Sequence, residues 1–600
     1  MSLSDKTMHE LYLWPFADAV RAGVGSVMCS YNKVRGAWAC ENEWTTNYLL
    51  KNELGFQGFV MSDWGAQKTT VGSALAGMDM AMPGDAGTAP YRAHWGGALT
   101  EAVLRGEVPE WRLDDMVVRI MAAYFKVNPS VNIPTDQPEI NFSAWSKAAV
   151  GPLHPAANES YAVVNEFVDV QNATGIPHGK LIREIGAKSV VLLKNNKTLP
   201  LRKPKSLAVI GEDAHDNPAG PNACAERACV RGTLAMGYGS GTAEFPYLIS
   251  PYTALKARAE ADGTQLVNIS SNWDLTAAKA AAASADVALV FALAHAGENF
   301  ITIDGNAGDR NNLTLWNGGD ELIKAVASVN PNTVVILHTP GPVIIEYAKR
   351  HPNITAILWA GLPGQESGNS LADVLYGDVN PQGRSPFTWG KSLQDYGAQL
   401  DFTVPDPRNP RQSFDEGVFI DYRHFQQEGI EASYEFGHGL SYTTFEYSDL
   451  KVTVNKDAAG RGYGPMSGTT GPAPTYGAVD KSVEANLPPE GFPRISPYVY
   501  PWLNSSGLAV SAGTGASMYE NLPQARNGSA QPLLPAGGGN GGNPGLWEVL
   551  YTVSVVIKNS GEVSGTEIPQ LVSFPLCLCF APAILPLFRW LPMRVTEIWP

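Results

Sequence analysis

Gly55-Phe-Gln-Gly-Phe-Val-Met-Ser-Asp-Trp-Gly65 reads as an apolar strand that runs directly into a carboxylate, Asp63, and an indole, Trp64. The preceding apolar stretch, Gly25-Ser-Val-Met-Cys-Ser-Tyr31, ends in the same manner, on Tyr31 and Asn32. Helical patterns over Met8–Ala22 and Glu43–Leu54 alternate with these stretches, and a third, Met78-Asp-Met-Ala-Met82, follows. Apolar strands alternating with helices predict a parallel sheet with right-handed crossovers. In α/β barrels the reactive groups sit where such strands end. Only three or four units precede residue 128, whereas a closed barrel takes about eight. Residues 1–128 are therefore expected to form the C-terminal part of a TIM-like (β/α)8 barrel, its N-terminal part missing.

The rest of the chain divides by composition. Pro129, Pro134, Pro138, Pro152 and Pro155 mark residues 129–178 as a linker. Over 179–398, strand patterns near Val190–Leu193, Leu207–Ile210, Val287–Phe291, Val334–Leu337 and Ile354–Trp359 alternate with helical ones such as Leu275–Ala283 and Glu321–Ser328. This predicts an α/β sandwich with a doubly covered sheet. Residues 399–445 read as a connecting segment. From 446 to 571 the pattern shortens, with Tyr551, Val553, Val555 and Ile557 on one strand face and Glu567–Leu571 opening another. We expect a β-sandwich there, incomplete and carrying a long insertion. Its Gly-rich stretch, Ala536–Gly542, reads as flexible linker because no helix start follows. Residues 572–600 form an aberrant apolar tail, in which Pro575, Pro582 and Pro586 break a run shorter than the roughly 20 residues of a membrane span. It is expected to be neither anchor nor strand. The fold class is thus α/β multidomain.

A formal net charge of −15 argues against nucleic acid and anionic membranes and suits an uncharged substrate. Cys29 and Cys40, and Cys224 and Cys229, are close pairs, while Cys577 and Cys579 lie in the tail. Such pairs serve as disulfides, metal ligands or buried thiols; with no second Cys/His pair near Cys224 and Cys229, two local disulfides are expected and no metal site. Sequons begin at Asn141, Asn158, Asn172, Asn196, Asn268, Asn312, Asn353, Asn504 and Asn527, which together with the cysteines point to secretion. The N-terminus shows no basic region followed by an apolar one, so no signal peptide is expected in this chain, and the natural start is expected upstream.

Asp63 is the position with the sharpest chemistry. A carboxylate at a strand end can attack an anomeric carbon while a neighbouring indole forms an apolar wall for a sugar ring. The same residue in the same place also suits a helix N-cap.

Several longer motifs bear on the choice: Lys6-Thr-Met-His-Glu-Leu-Tyr-Leu-Trp-Pro-Phe16, Gly25–Asn32, Gly55–Gly65, Ala76-Gly-Met-Asp-Met-Ala-Met-Pro-Gly84, Pro363-Gly-Gln-Glu-Ser-Gly-Asn-Ser370 and Tyr434-Glu-Phe-Gly-His-Gly-Leu-Ser-Tyr442. They closely resemble fungal β-glucosidases of glycoside hydrolase family 3, from about residue 5 to Leu571. The resemblance implies a fibronectin type III-like last domain and an extracellular, oligosaccharide-cleaving enzyme. It maps the nucleophile to Asp63 and the glucose-subsite residues to Tyr31, Trp64 and Met28. The acid/base, a Glu on a loop of the second domain, maps to Glu298 in Ala294-His-Ala-Gly-Glu-Asn-Phe300. Phe300 stands where the family has Tyr, which keeps a stacking face and loses a hydroxyl. Glu366 competes for the role, but its motif reads as a turn into the helix Leu371–Tyr376.

The implied reaction is retaining hydrolysis of terminal β-D-glucosyl residues, as in cellobiose. It needs two carboxyls about 5–5.5 Å apart and no metal or cofactor. The family's earlier Asp, Arg and Lys-His pair, which grip glucose hydroxyls, have no counterpart here. Each such charge-assisted bond contributes about 1.5–3 kcal/mol. A catalytically inactive, sugar-binding fragment and a β-xylosidase are the alternatives, and Ser62-Asp-Trp-Gly-Ala-Gln67 argues against the latter. Nothing in the sequence speaks to oligomeric state.

Overall fold

The computed structural model describes residues 2–82, 84, 94–127, 149–152, 161–163, 178–224, 231–298, 302–303, 306–397, 411–459, 540–571 and 593–595. In the first unit, helix α1 (Trp14–Ala22) leads to strand β1 (Ser26–Cys29), which pairs in parallel with β2 (Phe59–Ser62). The expected helices flanking them are present but wind wider, in i→i+5 fashion, over Met8–Tyr12 and Trp44–Glu53. Leu13, Ala17, Val20, Leu49, Leu50, Phe56 and Val60 bury together beneath the two strands. The expected third strand, Met78–Met82, is reduced to a single parallel bridge between Met61 and Met80. Its ladder is interrupted because the Asp79 carboxylate, rather than a backbone oxygen, takes the Val60 N–H at 2.8 Å. Asp79 is itself buried between Lys51 and Arg112, each 2.8 Å away. Helix α2 (Glu110–Val127) delivers Arg112 to this cluster.

Among the described residues of the linker region, Val150–Pro152 pairs antiparallel with Tyr161–Val163. The second unit then opens with α3 (His178–Ser189) and β3 (Val191–Asn195), followed by β4 (Ser206–Ile210), α4 (Pro251–Asp262), β5 (Gln265–Ile269), α5 (Leu275–Ala283), β6 (Val287–Leu293), α6 (Gly319–Ala327), β7 (Thr333–His338), β8 (Ile354–Trp359) and α7 (Ser367–Tyr376). The six strands form one sheet in the order β3-β8-β7-β6-β4-β5, parallel except for β3. β6 is buried along its whole length. Ala288, Val290 and Ala292 face α5 and α6 on one side, and Val287, Leu289 and Phe291 face α4 and α7 on the other. A sheet so covered is apolar on both faces, as the unbroken run of β6 requires; each fully buried Val or Leu contributes about 1.5–3 kcal/mol. Edge strand β5 was not legible in the sequence, and its exposed residues explain why.

From β4 the chain steps outward to β5, then returns past β4 to β6 and continues through β7 to β8. The order therefore reverses between β4 and β6, and open α/β sheets bind ligands at the carboxyl ends of strands flanking such a reversal.

The connecting segment carries a helix, Tyr422–Glu428. Among the described residues of the last unit, β9 (Phe445–Val454) and β10 (Tyr551–Asn559) pair antiparallel, and β11 (Met593–Val595) lies parallel to β10. Two expectations are corrected here. Glu567–Leu571 forms no strand: the Glu567 side chain accepts from the following backbone N–H at 2.8 Å and pairs with Arg384 at 2.8 Å. Part of the tail, at Met593–Val595, does form one, on the edge that β10 leaves open. The remainder of the tail lies outside the described residues.

His9 supplies a pH test of the first unit. Its Nε2 lies 3.0 Å from Glu53, whose hydrogen bond, outweighing burial, pushes the imidazole up to about 9. A folded-state value above the unfolded 6.5 gives stability that is present below pH 6.5 and lost as pH rises through about 9. The thermal midpoint of the wild type is expected to fall across that window, and that of His9→Gln to fall less; parallel curves would refute the linkage.

Candidate active site

The first carboxylate ends β2. Asp63 N donates to Cys29 O at 3.0 Å, which sets the residue beside the end of β1. Its Oδ1 accepts from the Tyr31 hydroxyl at 2.9 Å and from Trp64 N at 2.6 Å. No hydrogen bond reaches Oδ2 among the described residues, so one oxygen is tethered and the other keeps its lone pairs. The N-cap alternative fails, since the next helix begins only at Val71. Tyr31 and Trp64, both hydrogen-bonded to this carboxylate, are 50 and 58% exposed, and Met28 on β1 is 57% exposed. Large side chains left open to solvent beside a carboxylate suit a binding surface. A disulfide joins Cys29 and Cys40 and ties β1 to the hairpin that follows it. Cys224 is also disulfide-bonded, and Cys229, expected to pair with it, lies outside the described residues.

The second carboxylate stands just beyond β6, at the sheet's reversal point. Glu298 follows Ala294-His-Ala-Gly297, which has no regular structure. It is held from another loop: Ser240 N donates to Oε1 and Ser240 Oγ to Oε2, both at 2.8 Å. Two glycines permit this approach. A Cβ on Gly239, whose φ is +118°, would stand 2.9 Å from Glu298 Cγ, and one on Gly297 would overlap the Tyr238 ring. Below the loop, His295 is buried between Tyr238 and Trp316, and burial pushes its imidazole down to about 4, so it is neutral at ordinary pH.

The two carboxylates meet electrostatically at Tyr31. Desolvation first, then the hydrogen bond to Asp63 and the charges of Asp63 and Glu298, hold its phenol above the usual value. Glu298, from the second unit, thus acts on the residue that tethers Asp63 in the first. Phe300 lies outside the described residues. Glu366 is buried, with Oε1 accepting from Tyr247 at 2.6 Å and Oε2 from Asn369 at 2.7 Å, so both oxygens are engaged in the interior. Ser240 was missed by the sequence reading. The signal was the alternation Gly237-Tyr-Gly-Ser-Gly241, in which side-chain-free positions let one loop press against another.

Fold and site together define a multidomain α/β protein that presents carboxylates at strand ends from two units. Residues 1–123 match the glycosyl hydrolase family 3 N terminal domain and residues 190–442 the glycosyl hydrolase family 3 C-terminal domain. The chain belongs to glycosyl hydrolase family 3. It is 52% identical over 580 residues to β-glucosidase 1 of Aspergillus aculeatus, covering 95% of this chain and 66% of that protein, just under two thirds of its length. Among solved structures it resembles a Neurospora crassa family 3 β-glucosidase (TM-score 0.79, 52% identity, 93% of this chain and 66% of that one). It also resembles the Chaetomium thermophilum β-glucosidase (TM-score 0.79, 54% identity, 93% and 67%).

Gly239→Ala tests the cradle around Glu298. A non-glycine residue in that backbone region costs about 1–3 kcal/mol, and the new methyl also crowds Glu298. The urea midpoint is expected to drop accordingly with an unchanged m-value; a midpoint equal to wild type would show that the approach tolerates a side chain.

Proposed function

We propose that Asp63 and Glu298 are the nucleophile and the acid/base of a retaining β-glucosidase that releases glucose from the non-reducing ends of cellobiose and related β-glucosides. The observation that carries this reading is Tyr31, hydrogen-bonded to Asp63 and within the field of Glu298. The names of the relatives support the substrate class. In the first step Asp63 Oδ2 attacks the anomeric carbon, the glycosidic bond breaks, and the Glu298 proton passes to the leaving oxygen. In the second, Glu298 takes a proton from water, whose oxygen attacks the same carbon; glucose leaves and Asp63 is regenerated. Trp64, Met28 and Phe300 supply the apolar wall of the glucose site, and Tyr31 fixes which oxygen of Asp63 reacts. Residues 1–128 are read as part of a TIM-like barrel, 179–398 as the α/β sandwich and 446–571 as a fibronectin type III-like domain with an insertion. The sequons and the Cys29–Cys40 disulfide support an extracellular setting. Among the described residues no helix is long and apolar enough to cross a membrane.

Asp63→Ala is expected to lower kcat on 4-nitrophenyl β-D-glucoside by more than about 10³-fold while leaving the fold intact. Unchanged turnover would sink the assignment. Ser240 is expected to position the acid. In Ser240→Ala, kcat/KM for cellobiose should fall about tenfold. The kcat/KM for 2,4-dinitrophenyl β-D-glucoside, which reports the first step alone and whose leaving group needs no proton, should stay within about twofold, and Ser240→Thr should recover cellobiose cleavage. Equal losses on both substrates would show that Ser240 is merely structural.

A further inference from the structure

A cavity of about 740 Å³ opens at the carboxyl ends of β4 and β5; Asp63, Tyr31, Trp64, Ser240 and Glu298 do not line it, and Trp316, which packs on His295 beneath the Glu298 loop, forms part of its wall. Its most conspicuous wall is Trp273, the residue two positions before α5, which is 72% exposed. An indole so open to water is costly, and its surroundings hold it in place. Trp273 N donates to Ser271 Oγ at 3.1 Å, and the six-membered ring lies against Gly318, where a Cβ would come within 3.0 Å of it. Asn272, buried beside it, accepts from Glu212 N at 2.8 Å and donates to Asn317 O at 3.0 Å. These bonds lock the turn after β4, the turn after β5 and the approach to α6 into one platform. The indole therefore loses little freedom when a ligand stacks on it, which is the condition for useful affinity from a single aromatic face.

The lining chemistry selects the ligand. Arg231 and Glu212 bring opposite charges, which disfavours a strongly anionic or cationic guest. The remaining polar wall includes Asn312, Thr314 and Asn317, amides and hydroxyls suited to hydroxyl groups. An apolar plate beside uncharged hydrogen-bonding groups matches a pyranose, apolar on its C–H face and polar at its rim. We propose that this cavity is a second saccharide-binding site, with a hexose ring stacked on Trp273. The saccharide has two possible sources. One is a free oligosaccharide; the other is a glycan carried by this chain, since Asn312-Leu-Thr314 is a sequon on the cavity wall.

Calorimetric titration with thio-linked cellotetraose, which resists glycosidic cleavage, tests the proposal on the whole chain. Glycan-free wild-type protein is expected to bind one more equivalent than Trp273→Ala, and Trp273→Phe, which keeps a stacking face, to retain it with weaker affinity. Because the readout is the loss of one equivalent, it is independent of whether Asp63 and Glu298 act as proposed. If protein glycosylated at Asn312 lacks this equivalent and Asn312→Gln restores it, the glycan is the occupant. If both forms bind it, the site serves free oligosaccharide. Equal stoichiometry and affinity in glycan-free wild type and Trp273→Ala would overturn the proposal and leave Trp273 as a surface contact for another protein.

Discussion

The hydrogen bonds from Ser240 to Glu298 carry more of this architecture than their number suggests. A carboxylate on an irregular loop has no neighbouring strand to fix it, so its position must be imposed from outside. Here both of its oxygens are held by one residue of a second loop, through a backbone N–H and a hydroxyl. The loop-to-loop contact exists only because Gly239 and Gly297 remove the side chains that would keep the segments apart. It sits at the reversal of strand order between β4 and β6, where an open parallel sheet leaves a crevice that no crossover helix fills.

The first unit solves the same problem differently. Asp63 stands on a strand end, and the strand is braced by buried charge. The Asp79 carboxylate replaces a ladder partner for Val60, and Lys51 and Arg112 neutralise it from a helix on either side in sequence. A buried carboxylate with two cations and a backbone donor is expensive to disturb, because removing any partner strands a charge in the interior. That cluster lies under β2, three residues before Asp63, so its rigidity passes along the strand to the Asp63 carboxylate.

How much of this was legible in the sequence follows from burial. Strands β6, β7 and β8 announce themselves because both faces are covered and almost every position is apolar. β5 and β9 do not, because they are edge or open strands whose residues are mostly exposed, and an exposed strand has no reason to show a hydrophobic period. Asp63, Tyr31 and Trp64 stood out because they close the two apolar strand patterns, whereas Glu298 follows no pattern of its own and was singled out through the family resemblance alone. Ser240 escaped because its role depends on a loop 58 positions away, a pairing that no local window contains. The failure at Glu567 has a different origin: its carboxylate takes the Ile568 N–H, a group that a ladder would use, and pairs with Arg384.

The proposed chemistry, shared between two units, also places a demand on how they are joined. An error of about 1 Å in the placement of reacting groups can cost about 100-fold in rate. A single linker could not hold that tolerance. The chain meets it by returning: after the second unit, Gln412 and Phe414 hydrogen-bond Ser2 through the backbone at 2.9 and 3.0 Å, and the Phe414 ring meets Tyr12 edge-on at 5.5 Å. Farther along, Trp547 lies against Trp14 and beneath Arg21, 5.3 and 3.6 Å away, on the helix that leads into β1. Segments from beyond residue 400 thus pack on the first 22 residues, and the unit that carries Asp63 is held by parts of the chain that follow the one carrying Glu298. The separation of the two carboxylates is on this view a property of the whole polypeptide, set as much by Phe414 and Trp547 as by the residues at the site.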